Sequence, residues 1–436
     1  MRILVVSNHF YPESFRINEL AFALVERGHE VDVVTGIPNY PQGRFTKGYG
    51  LLRRRREVVR GVHVHRMPLI PRGQGRGWEL ALNYASAALM STLIAPLECR
   101  DDYDVIFVYE TSPITVALSA ALLRRLRGVP LVMWVTDLWP ESLTAAGAIE
   151  SKAVLGSVRA LVHFIYSQCD QILVSSPGMV DHVHRTGGYS GEAEHFPYWV
   201  EDQTDGTDVA ISGPMPVGAD DTFRVLFAGN VGVAQSFATI LDAAEKVRKL
   251  QSEAGGRAVE WWVAGDGRAL PWVREQIARR ELRDQVKLLG RLPTRDMPGL
   301  FRQADALLVT LKREPIFAVT VPSKLQAYLA AGKPILAALD GDGADLVIQA
   351  DAGLAVPAED STGLALAAMR LAAMETSQLH MMGERGRAYC DRHFRADQAF
   401  ARLEAILGAA ARGEKGGRPG ADVGSELNAV GARSDR

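Results

Sequence analysis

The chain has 436 residues, enough for two or three domains that each bury their own core. Its composition is 47% hydrophobic and 23% charged with a formal net charge of −2, a balance that argues against nucleic-acid binding as the main role. Cys99, Cys169 and Cys390 are odd in number and far apart, so neither a disulfide framework nor a zinc site is expected.

The opening MRILVVSNHF is an apolar, strand-like run behind a single Arg. It is too short for a signal peptide, and a cytoplasmic location is expected. From RILVVS the first half alternates strand and helix patterns. INELAFALVERG is an amphipathic helix closed by Gly28. HEVDVVTG, VHVHRMPL and DVIFVY are strands, PITVALSAALLRRLRG a helix, PLVMWVTD and QILVSS strands, and GMVDHVHRTGG a helix start. This spacing predicts a parallel sheet covered on both faces. Two segments interrupt it. Residues 44–76 hold ten Lys/Arg against one acid, Glu57, a local charge of +9. Residues 79–98, ELALNYASAALMSTLIAPLE, are apolar almost all round if helical. Asn83 and the Ser and Thr residues make a poor membrane span, so a buried helix is expected there. The one-sided charge beside it is a candidate for docking on an anionic membrane face.

Residues 201–221, rich in Asp, Gly and Pro, read as a linker. The alternation then restarts with FRVLFAGN, the helix ATILDAAEKVRKL, EWWVAGDG, LPWVREQIARREL, VKLLGRL, DMPGLFRQA and DALLVTL. TVPSKLQAYLAAGKPILAAL follows, and the pattern closes near Val356. The expected organisation is a domain over 1–200, a linker over 201–221 and a second domain over 222–394. The helix at 395–411 is a candidate to cross back to the first domain, and the polar tail 412–436 is expected to be disordered. The fold class is α/β: two doubly wound, Rossmann-like domains facing a cleft. Ligands of such folds bind beyond the carboxyl ends of the strands, so the turns after strands are the candidate sites.

Four turns stand out. SNHFYPESFRINEL crowds Asn8, His9, Glu13, Arg16 and Asn18 into one loop. MWVTDLWPES places Asp137 and Glu141 around Trp139 after an apolar strand. In FAGNVGVAQSF, Gly229 and Gly232 permit close backbone approach to a ligand, as phosphate-cradling loops do. In VPSKLQAYLAAGKP, Pro322 and Ser323 are helix-start signals, and Ser is expected to cap. Lys324 then sits in the first turn, where the helix dipole disfavours a cation. Either it is simply solvated, or it shares an anion with the free amides.

The ordered pieces HFYPESFRINELA, RGHEVDVVTGIPNYPQG, VTDLWPES, FAGNVGVAQSF, VAGDGRAL, LLGRLP and VPSKLQAYLAAGKPILA run from Met1 to about Arg402. In that order and spacing the chain resembles a family 4 glycosyltransferase of the GT-B fold with a nucleotide-sugar donor. Within that family it is similar to transferases of bacterial O-antigen, capsule and colanic-acid assembly, such as N-acetylfucosamine transferases.

The resemblance implies retaining transfer, with donor contacts from Gly229, Asn230, Gly232, Gln235, Arg291, Leu292, Ser323, Lys324 and Tyr328. It places acceptor contacts at His9, Glu13, Arg16 and Asn18, and catalysis at Asp137 and Lys324. UDP is the expected carrier, and a lipid-linked saccharide at the inner membrane face the expected acceptor, with a soluble acceptor as the competing reading. No cofactor is expected. No metal is expected either, since Asp101-Asp102 and Asp220-Asp221 lie in poor contexts for a metal-binding pair.

Three departures stand against the family pattern. Many members have Arg, Lys and Glu where this chain has Asn230, Gln235 and Ala327. Positive charge for the diphosphate then falls to Lys324, with Lys312, Arg313 or Arg16 as helpers. A nucleotide-sugar 2-epimerase of the same fold and a non-catalytic nucleotide-sugar-binding protein are the alternatives. A nicotinamide dehydrogenase is disfavoured, because neither strand-one turn carries GxGxxG with an acid about 20 residues on.

Overall fold

The computed structural model describes residues 1–145, 151–200 and 222–414. The expected linker at 201–221 and all but the first three residues of the expected disordered tail lie outside the described residues.

The first sheet is built from β1 (Arg2–Ser7), β2 (Glu30–Gly36), β3 (Arg56–Val59), β4 (Val62–Met67), β5 (Val105–Glu110), β6 (Leu131–Val135), β7 (Gln171–Val174) and β8 (Glu192–His195). Their order is β3-β4-β2-β1-β5-β6-β7-β8, parallel except for the β3–β4 pair. β5 and β6 are buried at every position, as strands covered on both faces must be. The edges β3 and β8 are the strands that periodicity misses. REVV and EAEH are short and polar because one side of each faces no further strand.

The second sheet comprises β9 (Thr222–Ala228), β10 (Ala258–Ala264), β11 (Val286–Gly290), β12 (Ala306–Thr310), β13 (Ile335–Ala338) and β14 (Gly353–Val356). Its order is β11-β10-β9-β12-β13-β14, all parallel. In both sheets the strand order reverses beside the first strand, the place where doubly wound folds open a crevice.

The last helix, Ala396–Ala411, packs on the first sheet, contributing Leu403, Ile406 and Leu407 to its core. Glu404 there bonds Arg27 and His29 at 3.2 and 2.9 Å. Across the cleft, the Val321 amide donates to Ser176 Oγ at 2.7 Å and the Gly178 amide to Asp342 Oδ2 at 2.6 Å. At the opposite lip, Arg268 Nη2 donates to the Gly75 carbonyl at 3.0 Å.

One expectation is overturned. Helix α2 (Gly77–Glu98), with α1 being Arg16–Glu26, is not buried: only Asn83, Ala88 and Ala95 are inaccessible. Its composition suits a core, but nothing among the described residues covers its outer face.

Candidate active site

The carboxyl ends of the first sheet carry acids. β5 ends in Glu110, fully buried, whose Oε1 accepts the Ser112 amide at 2.9 Å. Its Oε2 accepts the Thr136 and Asp137 amides, both at 3.3 Å. One carboxylate thus ties the turn after β5 to the turn after β6. Burial, and then the nearby Asp137 charge, push the Glu110 carboxyl up, against the three amides. Burial also pushes Asp137 up, opposed by Ser112, Ser142 and the Trp139 indole. Trp139 Nε1 and Ser142 Oγ are buried without a completed hydrogen bond, so two donors face Asp137 without closing on it. Such a pair of carboxyls holds a proton near neutrality, the requirement for acid–base work. Glu141, expected beside Asp137, turns instead toward His182 and Arg159 at 3.4 and 3.5 Å.

The loop after β1 differs from expectation. His9 Nδ1 lies 2.6 Å from Glu13 Oε2, and the His9 ring stacks on Phe15 at 4.5 Å. Glu13 Oε1 accepts the Asn39 and Tyr40 amides, both at 2.6 Å. Asn18 Nδ2 donates to the Glu13 carbonyl at 2.6 Å and Asn18 Oδ1 accepts the Tyr11 amide at 3.0 Å. Arg16 pairs with Glu19 at 3.1 Å. His9 and Glu13 are buried, and their bonds join the β1 and β2 loops. A carboxylate whose two oxygens are already used shapes the wall rather than offering contacts to an acceptor. The density of polar residues was legible; their mutual saturation was not.

The second sheet presents a buried cation and a glycine turn. Gly229 follows β9 with φ +140, and a Cβ there would stand 3.1 Å from Lys324 Nζ. Gly265 approaches so closely that its Cβ would fall 1.8 Å from the Gly229 carbonyl oxygen. Only glycine at both positions lets the two turns meet. Asn230 and Gln235 side chains flank Gly232, and Gln235 Oε1 accepts the Gly232 amide at 3.1 Å.

Lys324 opens the helix Lys324–Ala330. The residue keeps some exposed surface, but its Nζ is sealed from solvent and has no hydrogen-bond partner. It sits 3.8 Å over the Phe227 ring, and burial lowers its ammonium to about 7. Ser323 does not cap this helix. Its backbone is already helical and its side chain makes no cap bond, which removes the expected N-cap. The helix is seven residues long, so the buried lysine, rather than the helix end, dominates the local field.

Tyr328, expected beside a ribose, is in the core. Its hydroxyl accepts the Ala228 amide at 2.9 Å and donates to the Ala228 carbonyl at 3.2 Å. It therefore props the floor under Gly229. Arg291 is exposed and Leu292 half-buried after β11. Of the candidate helpers, Arg313 is spent on the Ala358 carbonyl and Asp340, at 2.6 and 3.6 Å, and Arg16 on Glu19. Lys312 has no carboxylate partner among the described residues. Glu110 and Phe227 are the site residues that sequence reasoning missed. Glu110 ends an apolar strand that has no other polar residue but Tyr109, a signal that was there to be read.

Two doubly wound sheets facing one cleft, with acids on one lip and a glycine turn over a buried cation on the other, define the GT-B class of enzymes. The family model "Glycosyl transferase 4-like domain" matches residues 14–199, and "Glycosyl transferases group 1" matches residues 222–374. The chain belongs to the glycosyltransferases, as a family 4 member of the GT-B fold. It is 26% identical over 347 residues to a colanic acid biosynthesis glycosyl transferase of Escherichia coli K12, covering 76% of this chain and 82% of that one. A glycosyltransferase of Pseudomonas aeruginosa is 28% identical over 287 residues, 62% of this chain and 66% of the other. Among solved structures, Anabaena HepE in complex with UDP and glucose superposes with a TM-score of 0.62 at 16% identity. That superposition covers 94% of this chain and all of the other, a likeness that speaks to the fold.

Proposed function

We propose that this glycosyltransferase moves a sugar, with retention, from UDP to a lipid-linked saccharide in cell-envelope polysaccharide synthesis. One observation carries the donor half: Lys324 Nζ is buried under the Gly229 turn with no hydrogen-bond partner. An isolated buried ammonium is costly, and an anion arriving at that turn removes the cost. The diphosphate of a nucleotide sugar is such an anion. Its leaving oxygen gains charge as the glycosidic bond breaks, so a fixed cation there stabilises the transition state more than the ground state.

In this reading residues 222–394 bind the donor and 1–200 the acceptor. Gly229, Asn230, Gly232 and Gln235 line the diphosphate, while Arg291 and Leu292 flank the base. Asp137, held by Glu110, orients the acceptor hydroxyl or takes its proton. Lys324 supplies the positive charge, and no metal is needed for the leaving group. The UDP complex of the Anabaena structure and the colanic-acid assignment of the Escherichia coli relative support the carrier and the pathway class. The acceptor is met from the cytoplasm at the inner membrane face. The +9 segment at 44–76 supports that contact.

The test is donor turnover. UDP released only when a membrane extract containing lipid-linked saccharides is present supports transfer. Acceptor-independent UDP release or sugar isomerisation points to the epimerase alternative, and binding without turnover to a non-catalytic protein. Thermal-shift comparison of UDP, GDP and dTDP checks the base.

A further inference from the structure

Helix α2 is 22 residues long with a mean hydropathy of 1.4 over its most apolar stretch, long and apolar enough to cross a membrane. Yet only 11% of that stretch is buried. Trp78, Leu82, Leu89, Leu93 and Leu97 are 46 to 62% exposed, and their spacing of four and seven residues puts them on one face. The side chains of 80–97 include no Asp, Glu, Lys or Arg. The polar groups on the helix are turned inward. Ser86, Ser91 and Thr92 hydroxyls donate to carbonyls of their own helix at 3.0, 3.1 and 2.7 Å, and Asn83 Nδ2 donates to the Ile70 carbonyl at 2.5 Å. The leucines of the stripe therefore offer hydrocarbon, and the exposed Trp78 indole at its end suits the headgroup boundary.

The helix cannot stand across a bilayer while packed as it is. Its N-terminal approach is tied by the Gly73 amide to the Gly43 carbonyl at 2.8 Å. Its last residue, Glu98, pairs with Arg55 and Arg56 at 3.0 and 3.3 Å. Arg127 holds the Pro96 carbonyl at 3.1 Å. Fixed along its inner face to the first domain, α2 can only lie in the plane of a surface.

Charge decides what that surface is. Of the ten cations in 44–76, Arg55 and Arg56 pair with Glu98, Arg60 with Glu26, and Arg66 with Glu57. Arg44, Lys47, Arg53, Arg54, Arg72 and Arg76 have no carboxylate partner among the described residues. The segment that carries them runs from the N-terminal end of α2, at Gly43 and Gly73, to its C-terminal end at Arg55 and Glu98. A second copy docked on this face would bring two such clusters together, which repulsion disfavours. An anionic bilayer meets both the hydrocarbon stripe and the cations.

We propose that α2 is an in-plane membrane anchor whose Trp78–Leu97 stripe inserts below the headgroups of an anionic leaflet, with the flanking cations at the phosphates. This rests on the membrane-presented acceptor read above and names the part of the chain that makes the contact. The anchor also sets orientation. Gly75, three residues before Trp78, receives Arg268 from the loop that bonds the donor turn through Val231. The lip of the cleft is thereby placed at the interface, where a lipid-linked substrate emerges.

The experiment is flotation of the full chain with vesicles of phosphatidylcholine alone or with about one-third phosphatidylglycerol, free of any saccharide acceptor. Binding to the anionic vesicles that persists largely in 0.5 M salt is expected, since an inserted face is not screened while surface charge is, at roughly a 4 Å Debye length. Leu89→Glu with Leu93→Glu should cut binding at least about tenfold with an unchanged melting temperature and unchanged UDP-induced thermal shift. Complete release by salt, with the double variant binding like the parent, overturns insertion and leaves a purely electrostatic contact. Absence of binding to either vesicle overturns both the anchor and the membrane contact. A parent dimer that the double variant converts to monomer makes the stripe a protein interface and also overturns the proposal. Because flotation needs neither acceptor nor UDP, failure of the transferase reading leaves the vesicle outcomes unaffected.

Discussion

The two lips of the cleft are built on opposite principles. On the first sheet, both Glu110 oxygens accept backbone amides, while Glu13 accepts two amides on Oε1 and meets the His9 ring with Oε2. On the second, Lys324 Nζ is buried over the Phe227 ring with no hydrogen bond. The first lip meets its buried carboxyls with protein donors, though Trp139 Nε1 and Ser142 Oγ stay without a completed hydrogen bond. The second leaves a buried ammonium without a hydrogen bond, the arrangement on which the proposed diphosphate site rests. A buried ammonium without a hydrogen bond or a carboxylate is the informative group, because an unpaired buried charge is costly.

The largest expected effect breaks this contrast at its cationic end. Lys324→Ala should lower kcat by roughly 10²–10³-fold, by analogy with removal of one donor from a preorganised anion site. Arg at 324 should rescue only part, since a planar fork does not replace a compact ammonium. Lys324→Met should also raise Tm at neutral pH. A lysine held at about 7, below its ordinary 10.5, costs stability at every pH below 10.5, and most below 7. An active, unstabilised variant in steady-state assays and thermal melts would remove Lys324 from the donor site.

At the acidic lip, Asp137→Asn should reduce turnover by about 10²-fold if the carboxylate takes the acceptor proton. Near-normal turnover would leave Asp137 as a loop residue. Glu110→Gln comes next, with a loss of about tenfold and a shifted pH profile. Without the second acid, Asp137 ionises more easily, so the acid limb of kcat/KM should move to lower pH. The stability sign follows from a pKa raised from 4.5 to about 8. Its contribution is present below 4.5 and is lost as pH rises through 8. Glu110→Gln should flatten that decline in melts taken from pH 4.5 to 8.

UDP affinity should respond more gently. Above about pH 7 the free enzyme must take up a proton at Lys324 to bind the diphosphate, so affinity should fall by up to about tenfold per pH unit there. Calorimetry in buffers of different ionisation enthalpy measures that uptake directly. The smallest effect is expected from metal removal: EDTA should leave turnover unchanged, and abolition restored by a divalent cation would transfer the role of Lys324 to a metal.

The amino-acid sequence by itself determined the alternation of strands and helices, the two-sheet plan and the turns that carry the candidate site. These depend on neighbours within a few residues: unbroken apolar runs such as LVMWV, a 3.6-residue period, a glycine after a strand. Edge strands β3 and β8 escaped because their one-sided pairing leaves no apolar run. What only the tertiary structure decided is which groups are paired and which faces are covered. Residues 79–98 have the composition of a core helix, yet the fold sets nothing over Leu89 and Leu93. Tyr328 and Lys324 stand on one short helix, yet one bonds Ala228 and the other lies over the Phe227 ring with no hydrogen bond. His9 and Glu13 look like a site in one dimension and become a strut when Asn39 and Tyr40 arrive from β2. Burial and hydrogen bonding are made by residues distant in the chain, and local pattern carries no record of what packs across a face.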